Sequence, residues 1–193
     1  MRWWAAVIMV SIAVGLDTGL AGVFTIRGLG HATPSFSACL LGYVALQARP
    51  IAALWVALFL GLVLDLSPSA AGAAHGVPII GPRTLGCIAA VYMIVLLRPL
   101  VFRRRLVTVA AIGGIAWVCI GLGSASIETI RWWVPWTHAL APPPASSRLI
   151  TIFASALYTV LLGLPVGAFL LSTTRWWRFG TAPGRLDYAA NRR

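Results

Sequence analysis

Two aspartates interrupt apolar runs that otherwise hold almost no charge. Asp65 lies in GLVLDLSPSAAGAAHG, from Gly61 to Gly76, and Asp17 lies in the phrase GLDTGL. A charged side chain at the centre of a membrane helix costs about 2.5 to 3.5 kcal/mol on insertion scales, so an acid in such a place needs a reason. Two reasons compete. The acid sits near the lipid-water boundary and caps or hydrogen-bonds within a helix bundle, or it meets a counter-charge, for which Arg83 is the candidate opposite Asp65. The run after Asp65 is made of small residues with Pro68, Gly72 and Gly76, and it allows a sharp or re-entrant turn. His75 within that run has the chemistry of a pH sensor or a metal ligand, but lacks the neighbouring histidine, cysteine or acid that a metal site needs. Cys39, Cys87 and Cys119 fall in three separate apolar runs and read as packing residues. Nucleophile elbows, zinc-binding His-Glu-x-x-His, phosphate-cradling glycine loops and acid clusters for a divalent metal are all missing. No catalytic residue, metal or cofactor is therefore expected, and the chain reads as a non-enzyme.

The elements that hold these residues follow from the composition. The chain has 193 residues, 60% hydrophobic and 10% charged, with fifteen arginines, no lysine and four acids, for a net charge of +11. So little polar surface points to a bilayer rather than to water. The arginines gather between and after the apolar runs, at the level of lipid headgroups, which favours an anionic lipid surface over nucleic acid. Six apolar segments are expected to be membrane helices: 3–23, 34–47, 51–66, 79–97, 106–127 and 149–172. The first is read as an uncleaved span rather than a signal peptide. The second and third are short and are separated by Ala48, Arg49 and Pro50, a break that predicts a tight helical hairpin. The expected fold is an all-α, compact six-span bundle over residues 1–174, followed by a basic, flexible tail over 175–193. With both termini cytoplasmic, eleven arginines fall inside and four (Arg27, Arg83, Arg131 and Arg148) outside, the bias that orients membrane proteins. Tryptophans 3, 4, 132, 133, 136, 176 and 177 sit where spans meet headgroups. The longest outer loop, 127–148, carries Pro142, Pro143 and Pro144 and predicts a stiff, extended stretch.

Small residues recur at a spacing of four: Ala53, Ala57 and Gly61 on the third span, Gly15 and Gly19 on the first, Gly163 and Gly167 on the sixth. That spacing puts them on one helix face and predicts close helix packing in lipid.

The stretch around Asp65 resembles the rod shape-determining membrane proteins of the MreD family. The matching positions are Gly61, Leu62, Asp65 and Leu66, with Gly72 or Gly76 as the turn glycine, and SALYTVLLGLPVGAFLL supplies Tyr158 and Pro165 of a similar closing segment. The turn departs from the family's phrase, having GAAHGVP after Asp65, and the outer loop is longer, so the resemblance is to a divergent member. It implies an inner-membrane, multi-pass component of the bacterial elongation complex. Its partners would be an MreC-type periplasmic scaffold, an MreB-type actin-like filament, and the transpeptidase and glycosyltransferase of peptidoglycan synthesis. The family also resembles, in fold, the substrate-binding subunits of vitamin-type transporters. In that alternative Asp65, Arg83, His75 and the loop tryptophans would line an outward-facing pocket.

Overall fold

The computed structural model describes residues 3–26, 32–67, 81–100, 105–132 and 145–173. Gly72, His75, Gly76, the triple proline and the basic tail lie outside them. The described residues form six long helices and one single-turn helix, with no strand. They are α1 (Trp3–Gly19), α2 (Ala21–Phe24), α3 (Phe36–Gln47), α4 (Pro50–Leu66), α5 (Pro82–Leu97), α6 (Leu106–Trp132) and α7 (Ala145–Ser172).

Helix α3 is the central post. Every residue from Ser37 to Leu46 is buried, and α1, α4, α5, α6 and α7 all pack against it. Around it the chain runs in order, with α4 on α5, α5 on α6 and α6 on α7. Neighbouring helices approach to backbone distance where glycines meet. A Cβ on Gly86 of α5 would lie 2.9 Å from the Ile120 Cα of α6, and one on Gly123 would lie 3.0 Å from the Gly86 Cα. Gly42 of α3 and Gly113 of α6 cross in the same way, at 3.1 Å to the Gly113 nitrogen.

Large apolar side chains cover the exterior of this bundle. Val7, Ile8, Ile51, Trp55, Phe59, Leu85, Phe153, Leu157 and Phe169 are each about half exposed or more, whereas much of the buried set is alanine. Hydroxyls on Thr18, Ser124, Ser126, Thr129 and Ser172 donate to carbonyls of their own helices. Two helices are long and apolar enough to cross a membrane, with mean hydropathy 2.1 over Leu106–Ile127 and over Arg148–Ser172. The other four long helices are apolar but shorter, at 12 to 17 residues.

Helix boundaries differ from the expected ones for local reasons. Helix α1 stops at Gly19, and the turn α2 follows after Leu20. Helix α6 continues past the expected end to Trp132, and its late hydroxyls, on Ser126 and Thr129, donate to the Leu122 and Ala125 carbonyls of the same helix. Helix α7 begins at Ala145. The ends of the stretch 127–148 are therefore helical, which corrects a loop of that full length; 133–144 lie outside the described residues. The α3–α4 break falls where expected: Ala48 and Arg49 take extended backbone angles, in Arg49 the geometry a following proline imposes. Pro165 sits inside α7 on its exposed face. Its ring removes one backbone donor without ending the helix.

Candidate functional site

Each aspartate ends one helix and caps the start of another. Asp65, at the end of α4, is 3% exposed. Its Oδ2 accepts from Gly81 N–H at 2.8 Å, Thr84 N–H at 3.1 Å and Thr84 Oγ1 at 2.7 Å, and its Oδ1 accepts from Arg83 N–H at 3.1 Å. Asp17, near the end of α1, does the same for α3. Oδ1 accepts from Phe36 N–H at 2.6 Å, while Oδ2 takes Ser37 N–H at 3.0 Å, Ser35 Oγ at 3.2 Å and Ser37 Oγ. The first turn of any helix leaves backbone N–H groups without partners and carries the positive end of the helix dipole, so a carboxylate there satisfies both. Gly81 holds φ +128°, a left-handed angle that favours glycine, and turns its N–H back onto Asp65. Pro82, at the first helical position, has no N–H to offer. The carboxylate therefore binds the donors on either side of it.

A third connection joins the Asp17 cluster to α7. Thr33 N–H donates to Ser155 Oγ at 3.2 Å and Ser35 N–H to Thr159 Oγ1 at 3.1 Å. Thr159, itself fully buried, donates onward to the Ser155 carbonyl at 2.7 Å. Between α2 and α3, Ile26 N–H donates to the Ala32 carbonyl at 3.0 Å, and Ala32 is buried. The re-entrant turn expected after Asp65 falls on residues outside the described set. At the opposite end of α3, Arg98 Nε donates to the Ala45 carbonyl at 2.6 Å and Nη2 to the Ala48 carbonyl at 2.7 Å. A cation at a helix C-terminus complements the dipole.

Arg83 meets Asp65 through its backbone N–H, and its guanidinium Nη1 donates to the Leu64 carbonyl at 3.4 Å. Gly61 is buried where a Cβ would press on the Thr84 Cα, beside the Asp65 cap, whereas Leu62 and Leu66 face outward. Ala53 and Ala57 are buried. Gly163 lies against Ala110, 2.9 Å from a Cβ position to the Ala110 Cα, and Gly167 makes ordinary contact with Val109. Tyr158 is half-buried. Gly15 and Gly19 are corrected: their Cβ positions meet nothing within 4 Å, because α1 packs through Ala5, Ala6 and Ala13 instead.

Ser35, Ser37, Gly81, Thr84, Arg98, Ser155 and Thr159 are the members of these connections that pattern reading overlooks. Ser-x-Ser after Pro34 at the start of an apolar run is an N-cap signal, and Gly-Pro-x-Thr is another. Among the described residues no three histidine, cysteine or acidic side chains come together as a metal site would require. Comparison of the chain with protein-family models, with curated proteins and with solved structures gives no match.

Proposed function

We propose that this chain is a multi-pass inner-membrane protein that acts by holding partners rather than by catalysis, as a scaffolding subunit of the bacterial cell-shape complex. The observation that carries this reading is the use of both intramembrane acids. Asp17 and Asp65 accept backbone and hydroxyl donors from α3 and α5, so their charge builds the bundle instead of facing a substrate. An exterior of large apolar side chains over an alanine-rich interior suits lipid as the surrounding solvent. On this reading six helices cross or enter the bilayer, the acid-capped end lies outside, and Arg49, Arg98 and Arg105 mark the inside. The specific complex rests on the resemblance around Gly61, Leu62, Asp65 and Leu66.

The axis of the bundle is filled by α3, with Leu41, Tyr43, Val44 and Leu46 fully buried along it. That arrangement favours a scaffold over a substrate-capturing transporter subunit. Affinity capture of the tagged chain from native membranes tests the choice. Recovery of a coiled-coil periplasmic scaffold and an actin-like protein is expected. Recovery of an ATPase in their place would transfer the chain to the transporter class.

A further inference from the structure

Three arginines occupy one layer at the end of the bundle opposite the aspartates. Gly42 crosses Gly113. From there α3 runs six residues to Ala48 and α6 runs seven back to Leu106, about 9 and 10 Å at 1.5 Å per residue. The α3–α4 break and Arg105, which precedes α6, therefore lie level. Arg98 joins them by its bond to the Ala48 carbonyl, and covalent geometry puts the Arg49 Cα within about 6 Å of that guanidinium. No acid among the described residues shares this layer, since Asp17 and Asp65 are at the other end and Glu128 lies near the far end of α6 from Leu106.

Arg49 breaks a local rule. It is the N-cap of α4, exposed and making no side-chain capping bond. A cation there opposes the helix dipole, which favours an anion. Pro50 occupies the first helical position, and α4 has no internal acceptor for the N–H groups of Ile51 and Ala52. Arg98 is committed to the carbonyls of α3, so it fixes the break in place while adding positive charge. Conflicts of this kind between residue and position mark functional sites.

We propose that the α3–α4 break is a headgroup site for an anionic phospholipid, with Arg49 contacting the phosphodiester and Arg98 positioning the turn. The site rests on the membrane reading above and adds a specific lipid partner to it. The test uses the full chain purified in detergent, with equimolar phosphatidylglycerol and phosphatidylcholine, and native mass spectrometry reads the ratio of bound lipids. Phosphatidylglycerol is expected to be preferred. Arg49→Gln is expected to lower that preference about fivefold, the factor one arginine contributes at an anionic surface. Arg148→Gln, at the opposite end, is expected to leave it unchanged. Equal loss in both variants, or no preference in the native chain, overturns the site. Displacement of phosphatidylglycerol by millimolar inorganic phosphate overturns it too, by assigning the arginine to a soluble anion. Flotation with phosphatidylcholine vesicles separates the two levels: a chain that does not float refutes the membrane reading, while one that floats without lipid preference refutes this site alone.

Discussion

Asp65 accepts four hydrogen bonds from three residues of the α5 start. An asparagine has one acceptor oxygen in place of two and brings an amide donor towards donors, so part of the cap is lost. Asp65→Asn is expected to lower stability by about 1 to 3 kcal/mol, and Asp65→Ala by more. Thermal unfolding of detergent-purified variants reads this directly, and unfolding midpoints equal to the native one would reject the capping role. Thr159→Val makes a sharper probe, since it keeps the shape and removes only the hydroxyl that accepts the Ser35 N–H. Leaving that buried donor unsatisfied costs about 1 to 3 kcal/mol, and its retention at native stability would mean another acceptor takes over. The sequence makes both aspartates conspicuous because charge in apolar runs is rare. It conceals their partners, because those partners are mostly backbone N–H groups and hydroxyls 16 to 20 residues away. A search for counter-charge finds Arg83, whose backbone N–H is what Asp65 binds.

At the level of helices, equal spacing of small residues does not mean equal packing. Gly61 and Gly15 belong to similar four-residue series, yet a Cβ on Gly61 collides with Thr84 while one on Gly15 meets open space. Spacing fixes which face is small; only the neighbours decide whether anything lies against it. Gly61→Val is therefore expected to cost about 1 to 3 kcal/mol or more by forcing α4 from α5. Gly15→Val is expected to leave the unfolding midpoint near the native value. Similar losses in both would show that α1 packs on that face in the membrane. Helix existence was legible from the apolar runs, and the α3–α4 break from Arg49-Pro50. The closest crossings, Gly42 with Gly113 and Gly86 with Gly123, were not, since α3 is apolar on all sides and its periodicity selects no face.

Taken whole, the bundle has helices of unequal reach, and this explains why it needs acids at all. Helix α7 has 28 residues and α3 has 12, about 42 and 18 Å long. Ser35, at the start of α3, bonds Thr159, fourteen residues into α7, so α3 begins about 21 Å below the α7 start. On the membrane reading its first N–H groups open inside the hydrocarbon, where no water can serve them. Asp17 and Ser35 serve them instead, and the hydroxyls of α7 serve the backbone just above. A short central helix is tolerable because it faces protein on every side, and only the outer helices must match the bilayer. The recession predicts an accessibility pattern. In intact cells a membrane-impermeant thiol reagent is expected to label Arg148→Cys readily, since it lies at the outer end of the span Arg148–Ser172. Thr33→Cys is expected to react much more slowly, because Thr33 meets Ser155 seven residues, about 10 Å, deeper along α7. Arg49→Cys is expected to react only after the membrane is permeabilised. Labelling of Thr33→Cys as fast as Arg148→Cys would place the start of α3 at the surface and leave Asp17 as an ordinary solvated cap. Labelling of Arg49→Cys in intact cells would invert the orientation.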